Sequence, residues 1–344
     1  MTDLYSVGLG VGTQNSKGEW LEVYYPAPLL DPGRTIANAL AGILDLGQAE
    51  DGVALDAGTL EALAEALEQQ GESAQADIAR QLTSSSKPVV AVALGADTDP
   101  VSVPAAYLKL HLLSHRLVKP HGTRLGGIFG VLPNVAWTNE GAIDLAELPQ
   151  RQFAARIQGR HLEISCVDKF PKMTDYVVPS GVRIADTARV RLGAYIGEGT
   201  TIMHEGFVNF NAGAEGPNMI EGRISAGVFV GAGSDLGGSS STMGTLSGGG
   251  NIVISVGREC LLGANAGIGI PLGDRCIVEA GLYITAGTVV SMLDDQKHKV
   301  TEVKARELAG RADLLFRRNS VSGAVECLTN RSAVELNEAL HTHN

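Results

Sequence analysis

Glu221 and Arg223 flank Gly222 at a point where an otherwise regular sequence pattern is interrupted. A carboxylate beside a coil edge can serve as a base in a cleft between subunits. The plain alternative is a pair of solvated charges. His204 and Glu205 stand where neighbouring repeats carry small residues, so they should point outward, and a subunit interface is a reasonable place for them. A lone His is more often a structural hydrogen-bonder than a catalyst. TMGTLSGGGN, at 242–251, leaves bare backbone N–H groups and hydroxyls for anions or carbonyls. Lys297, Lys299, Lys304, Arg306, Arg311, Arg317 and Arg318 reverse the sign of an acidic chain locally. They suit a phosphorylated ligand or, more plainly, a solvated face.

The element that must position these residues runs from 182 to 290. Ile184, Val190, Ile196, Ile202 and Val208 recur every six positions, each followed four residues later by Ala188, Ala194, Thr200, Gly206 and Ala212. Ile224, Val230 and Leu236 form a second run, and Ile254, Cys260, Ala266, Leu272, Val278, Ile284 and Val290 continue it in register. A period of six fits neither a helix nor an alternating strand, but it fits a coil whose three flat sides each take one hexad. About eighteen residues per coil gives roughly six coils. The fold class expected is therefore mainly β: a left-handed parallel β-helix of hexapeptide repeats, with an N-terminal α/β domain and a small C-terminal domain. The boundaries expected are 1–178, 179–291 and 292–344. Function in a solenoid sits where the repeat breaks. GAEGPNMIEGR, between Ala212 and Ile224, shifts the register, whereas 242–251 keeps it.

The chain has 344 residues, 44% of them hydrophobic, which suffices for a buried core, and its 5% aromatics and 43 Gly suit a slim solenoid. A net charge of −11 argues against a nucleic-acid surface. No apolar run approaches a membrane span, and MTDLYSVGLG lacks the basic start and apolar core of a signal peptide. A cytoplasmic protein with no membrane partner is expected. Cys166, Cys260, Cys276 and Cys327 have no CxxC spacing and read as reduced thiols, two of them in coil-core positions.

Before the repeat, LYSVGLGVGTQNSKGEWLEVYY reads as two strands joined at Asn15–Gly18. Helices are expected after Arg34, from about Thr59 to Leu82 and after Pro104, with a strand over 87–95. GIFGVLPNVAWTN, at 127–139, is β-prone. Gly8, Gly10 and Gly12 have an incomplete dinucleotide-loop spacing with no helix following, and HGTRLGG at 121–127 lacks a strand-loop-helix context. SAVELNEALH reads as a closing helix.

MHEGFVNFNAG (203–213), MIEGRISAGV (219–228), MGTLSGGG (243–250), CLLGANAGIGI (260–270), VEAGLYITAGT (278–288) and LLFRRNSVSGAVE (314–326) closely resemble tetrahydrodipicolinate N-succinyltransferases of the longer type. The resemblance is continuous over about 180–335. It implies a homotrimer of left-handed β-helices that moves succinyl from succinyl-CoA to the amino group of L-2-amino-6-oxopimelate, in lysine and diaminopimelate biosynthesis. No tightly bound cofactor is implied. Glu221 matches the family's catalytic carboxylate, described as an acyl-anhydride former, although a general base is chemically simpler. The CoA-site positions fall on Arg223, Gly238, Ser241, Ala264, Glu279, Ala280, Gly287, Lys304, Arg317, Arg318, Asn319 and Ser320. Family members that hold Mg²⁺ on the threefold axis use an acidic residue matching Ala188 together with one matching Glu205. Here only Glu205 is acidic, so a structural Mg²⁺ would rest on three copies of it.

Two other readings compete. A hexapeptide acetyltransferase would share the CoA groove and promote His204 to the base. A noncatalytic scaffold would leave the basic tail and both interruptions unexplained. A trimeric zinc carbonic anhydrase needs three His, and the solenoid has only His204.

Overall fold

A hexad whose inward residue is aliphatic has one way to hide it, which is to stack coil upon coil. In the computed structural model, which describes residues 3–244 and 252–329, short strands from successive coils pair in parallel and build three faces. The long face stacks Arg183–Ile184, Thr200–Ile202, Asn218–Ile220, Asp235–Leu236, Leu261–Leu262, Ile277–Val278 and Leu314–Arg318. A second face stacks Phe207–Val208, Arg223–Ile224, Ser241–Thr242, Gly267–Gly269 and Tyr283–Thr285. A third stacks Ala194–Ile196, Ala212–Ala214, Phe229–Val230 and Ser255–Val256. Ile202, Ile220, Leu236, Leu262, Val278 and Phe316 form one inward file with no exposed surface.

The register departs from a strict period of six at two places, the first of them the one expected between Ala212 and Ile224. The first shift lies wholly at one corner: Ile220 and Ile224 are both inward, four residues apart instead of six. The stretch after Thr242 does not keep register either. Val230 pairs with Val256 and Leu236 with Leu262, so Val256, Leu262 and Ile268 are the inward aliphatics and Cys260 and Ala266 precede them by two. Phase returns because Leu272, and not residue 274, sits beside Val256: the Gly257 amide donates to the Leu272 carbonyl at 3.0 Å. Cys260 and Ala266 are themselves buried, so period alone does not separate them from the anchors.

The chain clusters into two units that part at Pro171 and Lys172, with 119–121 joining the second. The basic segment extends the long face: Leu314–Arg318 pairs in parallel with Ile277–Val278 and antiparallel with Val325–Thr329. Burial pushes the Cys327 thiol up to about 12, in keeping with an inert core residue. Among the described residues no helix is long and apolar enough to cross a membrane. The closing helix expected at SAVELNEALH lies outside the described residues, as does most of the Gly/Ser-rich stretch.

The first unit carries an antiparallel sheet in the order Trp20–Tyr24, Ser6–Gln14, Val89–Leu94, Val53–Leu55, with Leu29–Leu30 on Ser6–Gln14. Gly8 and Gly10 are there for packing: a Cβ on either would come within 2.8 Å of the Tyr25 ring. The helix expected from Thr59 to Leu82 is two, Ala57–Gln69 and Ser73–Leu82, broken at Gly71, whose φ of +80° ends the first. Only Val135–Thr138 of the β-prone 127–139 stretch is strand, since Ile128–Val131 forms a helical turn. Thr123, Arg124 and Gly126 bind Asp97 and Asp99, and Asp97 also holds the buried Lys109, so that segment is a structural clasp.

Truncating the inward file should expose how much the solenoid depends on it. Ile220→Ala is expected to lower stability by about 2–5 kcal/mol. The check is a lower urea midpoint with an unchanged slope.

Candidate functional site

Every strand of the long face ends at the same edge of the coil, and the backbone ladder continues past it. Amide donors of Met203, Glu221, Gly237, Gly263 and Glu279 reach the carbonyls of Ile220, Leu236, Leu262, Val278 and Phe316 at 2.8–2.9 Å. Glu221, Gly237, Gly263, Glu279 and Arg317 therefore stack one above another. Four interstrand spacings separate Glu221 from Arg317, about 19 Å at roughly 4.8 Å each.

Most corners on this edge are four residues long: Met203–Gly206, Gly237–Ser240, Gly263–Ala266 and Glu279–Leu282. The corner between Ile220 and Arg223 is only Glu221–Gly222. Its shortness requires glycine, because a Cβ on Gly222 would lie 2.1 Å from Ser240 Oγ and 2.7 Å from the Ser240 carbonyl oxygen. The longer corners on either side overhang it and frame a cleft of about 380 Å³, lined by Arg189, His204, Glu205, Arg223 and Ser239–Ser241.

Two carboxylates converge here. A Cβ on Gly238 would lie 3.4 Å from Glu205 Oε2 and 3.5 Å from Glu221 Oε2, so both acids face the same small space. Glu205 is held by the Ser239 hydroxyl, which donates to Oε2 at 3.2 Å. Glu221 is half-buried and His204 is exposed. Ser240 is buried, and among the described residues its hydroxyl has no hydrogen-bond partner. Arg223 is exposed on the strand that leaves the short corner, and among the described residues no carboxylate lies within ion-pair distance of it. Arg189 donates from Nε to the Gly206 carbonyl and from Nη2 to the Glu205 carbonyl, both at 3.0 Å.

Several of the residues matched to a CoA site share this edge. Gly238, Ala264 and Ala280 occupy equivalent corner positions in successive coils, and their amides donate to no protein acceptor among the described residues. Ala264 and Ala280 are exposed. The three form a strip of backbone donors leading away from Glu221. Ser241 lies on the second face with its amide bound to the Ala266 carbonyl. Glu279 closes the strip, its carboxylate accepting the Arg318 amide at 2.7 Å. Gly287 is exposed and its carbonyl accepts from Lys304 Nζ at 3.3 Å, so these two are neighbours. Ser320 is exposed in the turn after Leu314–Arg318.

Arg317 and Asn319 have a partner that sequence reasoning missed. Arg317 donates from Nε and Nη2 to Glu326 Oε2 at 2.9 and 2.8 Å, and Asn319 Nδ2 donates to Oε1 at 2.7 Å. The hairpin register that pairs Arg317 with Glu326 produces this contact. Arg318 is left outward, donating to the Gly323 carbonyl at 3.1 Å. Arg189, Ser239 and Ser240 were also missed. They are remote from Glu221 in type and spacing, and only coil stacking brings them together.

For a cation at Glu205 the residues do not fit within one chain. Ala188 stands where a second acid would be needed, Ser239 occupies Glu205 Oε2, and among the described residues no group of three or more His, Cys, Asp or Glu is arranged to hold a metal ion.

Known proteins resemble this chain along its whole length. The family model for the middle region of tetrahydrodipicolinate N-succinyltransferase matches residues 132–172, and that for the hexapeptide repeat of succinyl-transferase matches 253–286. The chain is 67% identical over 341 residues to a 2,3,4,5-tetrahydropyridine-2,6-dicarboxylate N-succinyltransferase of Pseudomonas paraeruginosa, with 99% of each covered. It is 57% identical, at the same coverage, to the protein so named from Vibrio cholerae. A Campylobacter jejuni crystal structure described as a 2,3,4,5-tetrahydropyridine-2-carboxylate N-succinyltransferase superposes with a TM-score of 0.87 at 32% identity, covering 97% of this chain and 94% of that one.

The Glu326 contacts set a pH dependence. The Asn319 amide, and then Arg317, hold the Glu326 carboxyl below the ordinary carboxylate range. A depressed folded-state pKa contributes stability above the unfolded value, near 4.5, and that contribution is lost as pH falls through the folded value. Glu326→Gln should therefore flatten the fall of the unfolding midpoint with pH below about 4.5, measured by thermal melts across an acid pH series.

Proposed function

The chain belongs to the tetrahydrodipicolinate N-succinyltransferase family, and from that premise we propose how its coil edge performs the family's reaction. The protein is a hexapeptide-repeat acyltransferase that places a succinyl group on the amino group of L-2-amino-6-oxopimelate, the opened hydrate of tetrahydrodipicolinate, in lysine and diaminopimelate biosynthesis. In our reading the donor is succinyl-CoA and no cofactor is tightly bound. The active unit is a cytoplasmic homotrimer of left-handed coils acting on small molecules.

The observation that carries the mechanism is the strip of amides at Gly238, Ala264 and Ala280, unpaired among the described residues and ending at Glu221. It offers the carbonyls of an extended pantetheine arm a row of donors, as an edge strand would. Lys304, beside Gly287, and Arg318, in the last hairpin with Ser320 in its turn, supply positive charge for the phosphates. Arg317 and Asn319, bound to Glu326, hold that hairpin in shape as well as flanking the ligand. Ser241 and Arg223 stand at the cleft where the thioester arrives.

Glu221 acts as the general base. The acceptor amine attacks the thioester carbonyl, and its proton passes to the Glu221 carboxylate as the new C–N bond forms. The tetrahedral intermediate collapses to the amide with cleavage of the C–S bond, and the departing CoA thiolate takes the proton held by Glu221, which restores the carboxylate. No step runs through a metal ion.

Thiol release from succinyl-CoA and acetyl-CoA, each with and without L-2-aminopimelate, tests this reading. Release should require both succinyl-CoA and the acceptor, and Glu221→Gln should lower kcat about 10²–10⁴-fold while succinyl-CoA still binds. Preference for acetyl-CoA, with activity lost in His204→Asn and kept in Glu221→Gln, would transfer the chemistry to the histidine.

A further inference from the structure

We propose that Arg189 binds the far carboxylate of the acceptor, the one at the opposite end of the carbon chain from the reacting amine, and so sets the enzyme's preference for a dicarboxylate. This rests on the assignment of Glu221 as base and of the amide strip as the donor site.

Direction along the edge comes first. The strip leads from Glu221 through Gly238, Ala264 and Ala280 toward Arg317, which is toward the later coils. An acceptor that meets the thioester at Glu221 is left the other side of that residue, toward the earlier coils. There stand the Met203–Gly206 corner and the turn Thr187–Arg189.

Arg189 is the cation built into that region. Arg189 is half-buried, and its guanidinium is clamped on two consecutive carbonyls, of Glu205 and Gly206. Those contacts use two of its five N–H donors and fix the plane of the fork without neutralising it. Among the described residues no carboxylate lies within ion-pair distance of it. Glu205, whose carbonyl it holds, directs its own carboxylate to Ser239 instead. A held, unneutralised guanidinium lining a cleft is suited to a carboxylate that arrives with the ligand.

Spacing selects which carboxylate. The corner that Arg189 clamps is one coil from the Glu221 corner, about 4.8 Å along the stack. The near carboxylate is borne by the same carbon as the amine and must stay beside Glu221. The far one is carried away by the carbon chain, across at least one coil spacing, to where Arg189 stands.

The test compares two acceptors, L-2-aminopimelate and L-2-aminoheptanoate, which lacks only the far carboxylate, in the wild type, Arg189→Gln and Arg189→Lys. The wild type should favour the dicarboxylate. Arg189→Gln should lower kcat/KM for aminopimelate about 10- to 100-fold, the loss expected for one charge-assisted contact, and leave aminoheptanoate and the KM for succinyl-CoA unchanged. Should the Gln variant not fold, Arg189→Lys carries the same comparison, with a smaller fall in the ratio because charge is kept and the fork is lost. An equal loss on both acceptors in either variant would make Arg189 a brace for the 205–206 corner and overturn the proposal. Absence of succinyl transfer to aminopimelate in the wild type would instead remove the functional reading on which it rests.

Discussion

Everything at the functional edge depends on one repeated backbone contact, the parallel amide-to-carbonyl bond that joins each coil to the next. It fixes the coil spacing at about 4.8 Å and aligns the corners whatever the length of chain between them. Glu221 and Gly238 are separated by one circuit, and Gly238 and Ala264 by a circuit that includes the stretch after Thr242, yet both steps advance the edge by one rung. Insertions are absorbed at the corners and leave the ladder intact. The apolar file inside, from Ile202 to Phe316, makes this arrangement stable by removing its side chains from water.

Against that regular background a small deficit has a large local effect. The Glu221–Gly222 corner lacks two residues that its neighbours have, and the absence opens the cleft. The overhanging corners supply Glu205 and Ser239, and Arg189 locks the earlier of the two through its carbonyls. Gly222 is the residue that makes so short a turn sterically tolerable over Ser240. The chemistry of the site thus follows from a local shortening of a scaffold that is otherwise indifferent to function.

The three-sided coil was legible because an inward aliphatic every six residues leaves a periodic mark. Its phase was less so. Cys260 and Ala266 are buried beside true anchors, and a period counts them equally, so the two-residue displacement through Val256–Ile268 shows only in the strand pairing. Glu221, Gly238, Ala264 and Ala280 could be named from sequence, by likeness to a family; their alignment on one edge is a property of stacking. Arg189 and Glu326 were invisible for the same reason, since each acts through a contact between segments whose register the sequence does not print. In the first unit, Gly71 ended a helix that leucine spacing alone would have continued.

The hairpin that follows the last coil has an effect on how solenoids meet one another. A stack of parallel strands presents an open end to which a like stack could add, and such edges invite polymerisation. Here Leu314–Arg318 joins the long face in parallel, but Val325–Thr329 and then Val289–Leu293 and Lys299–Lys304 continue it with two reversals of direction. The outermost strand of that sheet carries Lys299, Glu302 and Lys304. The two reversals return that strand to the polarity of the long face, so what a second molecule extending the sheet would meet is a row of charge, and the segment that holds the basic residues is also what discourages growth as a fibre.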